Sequence, residues 1–147
     1  MKKEKLIFFV GISNKYGRTG ELLEAFSLET NSGKIVDKLI SNLDGYDTYK
    51  TNLVSIVPLD ENNKIRYPNH NEKENGLKIL EKEILKLSPD LIVLFGKQVY
   101  DFVSKYSLIN KEKLIFAYHP SYIRVYKRNT QEYYISNLVD KIKFKLN

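Results

Sequence analysis

Four short apolar runs, Leu6–Val10, Leu53–Val57, Leu91–Phe95 and Leu114–Tyr118, punctuate this sequence, and a segment of helical periodicity follows each one. The runs are nearly continuous rather than alternating, the pattern of strands covered on both faces. Between them, Val36, Leu39, Ile40 and Leu43 recur at i, i+3, i+4 and i+7 behind Ser32 as an N-cap, and Leu77, Leu80, Ile84 and Leu87 repeat the pattern until Ser88-Pro89-Asp90 stops it. Val99, Phe102, Val103 and Tyr106 define a short third helix, and Ile135, Leu138, Val139, Ile142 and Leu146 line one face of a last. This alternation predicts an α/β fold, a three-layer α/β/α sandwich with a central four-stranded parallel sheet. With 147 residues and no repeat, linker or low-complexity tract, residues 1–147 are expected to form a single domain.

Composition narrows the chemistry. At 42% hydrophobic and 29% charged residues the chain reads as an ordinary globular one. The absence of cysteine excludes disulfides, an iron–sulfur cluster, a thiol nucleophile and a Cys-type zinc site. His70 and His119 stand far apart with no acidic companion at a fixed spacing, so neither a metal nor another cofactor is expected. The apolar run after the first lysines spans six residues, Leu6 to Gly11, too short for a signal core. No stretch approaches the ~18–20 apolar residues of a membrane span, which places the protein in the cytoplasm. A net charge of +6 favours a polyanionic partner. Residues 119 to 128 gather Arg124, Lys127 and Arg128 without an acid and interleave Tyr122 and Tyr126.

In parallel sheets of this kind the ligand lies beyond the carboxyl ends of the strands. Those ends are Gly11-Ile12-Ser13-Asn14, Pro58-Leu59-Asp60 with Thr51-Asn52 entering the strand, Gly96-Lys97-Gln98 and His119-Pro120-Ser121. The long segments Ser13 to Asn31 and Leu59 to Asn71 fall on the same side, and loops beyond about 12–15 residues are usually functional or disordered.

In order, Phe9-Val10-Gly11-Ile12-Ser13, Thr30-Asn31-Ser32-Gly33-Lys34, Thr51-Asn52-Leu53-Val54 with Pro58-Leu59, Pro89-Asp90-Leu91-Ile92-Val93-Leu94-Phe95-Gly96-Lys97 and His119-Pro120-Ser121 resemble the uracil-DNA glycosylase superfamily over roughly residues 6 to 128. The resemblance implies hydrolysis of the N-glycosidic bond of uracil or a related damaged pyrimidine in DNA, as in base excision repair. Members with an iron–sulfur cluster share the Thr-Asn and Pro-Asp-Leu-Ile-Val motifs, but without cysteine no cofactor is expected here, and no lysine stands out as an imine-forming nucleophile, so the expected enzyme is monofunctional and leaves the strand uncut. DNA, single- or double-stranded with its damaged base flipped out, is the expected partner of a monomeric protein.

The chemistry of the residues agrees. Glycosidic cleavage passes through an oxocarbenium-like sugar, and the departing pyrimidine carries negative charge that needs a donor already in place. A neutral His119 supplies an N–H to the base O2. The Asn52 amide offers a donor and an acceptor together, matching O4 and N3–H of uracil and mismatching cytosine. Gly11, Ile12 and Phe26 complete the expected base-binding group, with Tyr16 a second candidate for stacking. At the position where several families carry Asp or Asn to hold the attacking water, this chain has Ser13 followed by Asn14. These two are the water-holding candidates, or a carboxylate from the next loop, Glu21, Glu24 or Glu29, takes that role. In the superfamily the loop after the histidine enters the minor groove. Here it contains Ser121, with Tyr122 or Ile123 as the wedge and Arg124, Lys127 and Arg128 as phosphate contacts. Two rivals from other classes are a non-catalytic nucleobase- or DNA-binding member of the same fold and a nucleoside or nucleotide hydrolase.

Overall fold

A computed structural model describes residues 4–126 and 130–147, the side chains of residues 124–126 excepted. The strands are β1 (Leu6–Ser13), β2 (Asp47–Val54), β3 (Leu91–Phe95) and β4 (Leu114–Ala117). The helices are α1 (Asn31–Ser41), α2 (His70–Leu87), α3 (Lys97–Tyr106), α4 (Pro120–Tyr126) and α5 (Gln131–Leu146). The strands form one sheet in the order β2-β1-β3-β4, and every pairing is parallel.

Successive side chains of the inner strands point to opposite faces, which divides the core in two. Ile7 and Phe9 of β1, with Val93 and Phe95 of β3, pack against Ile35, Val36 and Leu39 of α1 and Ile135, Leu138 and Ile142 of α5. Phe8 and Val10, with Ile92 and Leu94, pack against Leu77 and Leu80 of α2 and Val99, Phe102 and Val103 of α3. The α/β/α sandwich expected from the sequence is therefore present, with a core on each side of the sheet.

β2 departs from the expected run Leu53–Val57. It starts six residues earlier, at Asp47, and ends at Val54. It lies at the sheet edge, where residues 48–52 are half-buried and polar side chains are tolerated, so its apolar content does not mark its extent. Ile56, part of the expected strand, is an exposed loop residue. Asn52 thus sits inside the strand, opposite Gly11 of β1. The N-cap of α1 is Thr30 rather than Ser32, which is buried within the helix. The residues after His119, expected as a loop, begin with helix α4.

Candidate active site

β1, β2, β3 and β4 all point their carboxyl ends at a cleft of about 700 Å³. Gly11, Ile12, Ser13, Phe26, Asn52, His119, Ser121 and Tyr122 line it together. Residues spread over 112 positions of the sequence thus meet because a parallel sheet brings every strand end to one side.

Gly11 makes the floor possible. A Cβ built there would lie 2.5 Å from Asn52 Oδ1 and 3.0 Å from Phe26 Cζ, so a side chain would drive apart the amide and the ring. Phe26 is held in turn by its backbone. The Thr30 hydroxyl donates to the Ser27 carbonyl at 2.8 Å and accepts from Gly33 N–H at 2.9 Å. Gly33 lets the first turn of α1 press on this segment, since a Cβ there would fall 1.9 Å from the Ser27 carbonyl oxygen. Phe26 itself has φ +53°, a left-handed conformation that costs a bulky residue of order 1–3 kcal/mol and that clusters at ligand sites. Its ring packs edge-on against Phe95 at 5.1 Å.

His119 follows the last residues of β4 and is half-buried in the cleft wall. The Ser121 backbone N–H donates to its Nδ1 at 3.1 Å, and the Ser121 hydroxyl lies 2.7 Å from the same nitrogen. A nitrogen that accepts a backbone N–H carries no proton, so the proton of the neutral ring resides on Nε2. Desolvation, with a smaller contribution from the nearby Lys15 charge, pushes the imidazole pKa from 6.5 down to about 4. The group is therefore a neutral Nε2–H donor at physiological pH. The approach to it is braced from α5, where the Tyr134 hydroxyl donates to the Tyr118 carbonyl at 2.5 Å.

Two expected site residues are placed otherwise. Asn14 does not line the cleft; its Nδ2 donates to the Ser55 carbonyl at 2.6 Å and its Oδ1 accepts from Asn52 Nδ2 at 2.7 Å. Ile123 is only 7% exposed, packed inward on α4, and so is unavailable as a wedge in this arrangement. Tyr122, 45% exposed and stacked on Tyr118 at 5.6 Å, remains on the cleft rim. Arg124 lies in α4 with its side chain outside the description, and Lys127 and Arg128 lie outside the described residues. Tyr16 is exposed in a small antiparallel bridge with Leu22, away from the cleft lining. Of the three loop carboxylates, Glu24 lines the cleft while Glu21 accepts from the Thr19 hydroxyl.

The structure adds residues to which the sequence reading gave no role. Lys15, Lys97 and the run Ile65, Arg66, Tyr67 and Pro68 all face the cleft. The last four come from the second long loop, whose length and side were visible in the sequence but which carries no chemical motif. Arg66 is fixed there by paired contacts with Glu72, at 2.8 and 3.2 Å. Among the described residues no cluster of three or more His, Asp or Glu is placed to hold a metal ion.

The family model of the uracil DNA glycosylase superfamily matches residues 2–143 of the sequence. The chain belongs to the uracil DNA glycosylase superfamily. No curated protein matches its sequence. Among solved structures it is similar to wild-type Pedobacter heparinus SMUG2, at 15% identity and a TM-score of 0.61, over 95% of this chain and 75% of that one. That likeness is one of fold. In this chain Asn52 of the Thr-Asn motif and His119 of the His-Pro-Ser motif share one cleft. Among the described residues no helix is long and apolar enough to cross a membrane.

Proposed function

We propose that this superfamily member is a monofunctional DNA glycosylase that hydrolyses the N-glycosidic bond of uracil or a related damaged pyrimidine in DNA and acts as a monomer. The observation that carries the reading is a neutral imidazole, with its proton on Nε2, lining the same cleft as an edge-reading amide. The extruded base lies over Gly11, against the Phe26 ring, with Asn52 on its O4–N3 edge. His119 donates from Nε2 to O2 as the glycosidic bond breaks, and the fixed charge of Lys15 stabilises the same developing anion. Because that donor is in place before reaction, no reorganisation accompanies charge development. The oxocarbenium sugar is then captured by a water held at Ser13 and Glu24, which both line the cleft. A dissociative path asks more of the leaving-group donor than of the water base, so Ser13 in place of a carboxylate is compatible with turnover.

Around the cleft, Lys15 and Lys97 supply positive charge to the phosphates, and Tyr122 and Tyr67 present aromatic faces to neighbouring nucleotides. The test is single-turnover incubation with uracil-containing oligonucleotides, followed by alkali to reveal abasic sites. Uracil-dependent breakage is expected, with no protein–DNA adduct trapped by borohydride through Lys15 or Lys97. Tight, uracil-dependent binding without any abasic product would replace the enzyme with a non-catalytic reader.

A further inference from the structure

We infer that Asn14 is a positioning residue: it fixes which way round Asn52 presents its amide, and so makes the cleft select bases that carry a carbonyl beside a ring N–H. The inference rests on the base-reading role proposed for Asn52. It starts from an atom whose hydrogen-bonding role is fixed, the carbonyl oxygen of Ser55, which only accepts. Asn14 places an amide nitrogen 2.6 Å from that oxygen, so this end of Asn14 is its NH₂ group. The opposite end, Oδ1, then faces Asn52 and requires a donor, which Asn52 Nδ2 supplies at 2.7 Å. The Asn52 amide is thereby fixed with Oδ1 on the side of Gly11, where it lies 2.5 Å from the position a Cβ would take. One proton of its NH₂ group is engaged by Asn14, leaving one N–H and Oδ1 to read a base.

That pairing matches the O4 and N3–H of uracil and any other ring with the same lactam edge. Cytosine offers the reverse pattern, an amino donor beside an acceptor nitrogen. Accepting it requires Asn52 to flip, which turns its oxygen towards Asn14 Oδ1. Asn14 cannot turn with it, because its own oxygen would then meet the Ser55 carbonyl. One acceptor–acceptor contact, against Asn14 if Asn52 flips alone or against the Ser55 carbonyl if both amides flip, thus stands between the site and an unmodified cytosine. The 3.3 Å bond from Asn14 N–H to the Val54 carbonyl ties the relay to the end of β2, the strand that carries Asn52.

The test compares wild type with Asn14→Leu and Asn14→Ala, which remove the acceptor, and Asn14→Asp, which gives up the donor to Ser55 but presents an acceptor to Asn52 whichever way its carboxylate turns. Free uracil and free cytosine are titrated into ¹⁵N-labelled protein while the Asn52 side-chain amide signals are followed. Loss of a single hydrogen bond of this kind predicts a uracil-over-cytosine binding ratio about fivefold to tenfold lower in Asn14→Leu and Asn14→Ala, with the ratio kept in Asn14→Asp. The hydrogen-bonded Asn52 amide proton should shift and exchange faster in the first two variants alone. An unchanged ratio in either acceptor-less variant that folds, or an equal fall in Asn14→Asp, overturns the inference. If wild type binds neither base and excises none, the assignment of Asn52 fails, and the Asn52 amide signals still decide whether Asn14 holds it.

Discussion

Burial and the Lys15 charge act on the His119 ring, while the Ser121 backbone N–H and hydroxyl occupy its Nδ1. Protonation below about pH 4 would put a second N–H where a donor already points. Excision is therefore expected to be level from about pH 5 to about pH 8, with an acid limb only as this low pKa is approached, as a pH–rate profile under single-turnover conditions will show. His119→Ala should lower the single-turnover rate about 100–1,000-fold while binding of uracil-containing DNA persists. Phe26→Ala removes the ring proposed to stack on the base, and a stacked base is worth about 1–3 kcal/mol, so affinity for a flipped-base analogue should fall roughly tenfold or more by titration. His119, Asn52, Gly11 and Phe26 were legible as candidates because the resemblance to the superfamily marks their positions and the chemistry of the histidine and asparagine side chains agrees with it. The commitment of Asn14 to Asn52 was not, since two asparagines separated by 38 residues carry no sign of their contact.

At the scale of elements, the second long loop and helix α2 share one carboxylate. Glu72 accepts from the Asn69 N–H at 2.9 Å while Asn69 accepts from the Glu72 N–H at 2.9 Å, a reciprocal cap. The same Glu72 holds Arg66 on the cleft wall, and the Arg66 hydrogen bonds, ahead of the Asn69 N–H, keep its carboxyl below the usual carboxylate range. Asn69→Ala should cost about 1 kcal/mol, seen as a melting temperature lower by about 3 °C, and should loosen the Arg66–Pro68 wall with it. β1, β3 and β4 could be read from apolar runs because helices or the core cover their side chains. β2 could not, because an edge strand with half-buried polar residues lacks that signature, and α4 was hidden by an assumed loop after the histidine.

Across the whole molecule, a charge of +6 is useful to a DNA-binding protein only where it faces the phosphates. Lys97, exposed at the start of α3 on the cleft rim, is the position proposed for such a contact. Lys97→Ala should weaken binding to all oligonucleotides alike and reduce the slope of log K against log salt by about 1, measured by fluorescence anisotropy. Stability should also respond to acid. The folded His119 titrates at about 4 against 6.5 in its absence of burial, so between those values the unfolded chain binds the extra proton and stability falls as pH drops through that window. Glu72, with its lowered pKa, adds a further loss as pH falls through the carboxylate range.

Because Gly11 pairs with Asn52 across the β1–β2 ladder, the identity of the side chain proposed to read the base is set by strand alignment as much as by residue type. Sliding β2 by one position would bring Thr51 or Leu53 beside that glycine and turn the neighbouring side chains to the other face. Chemical discrimination at the mouth is thus inherited from a count of peptide units along an outer strand, and an insertion within Asp47–Thr51 threatens selectivity even if the sandwich still assembles.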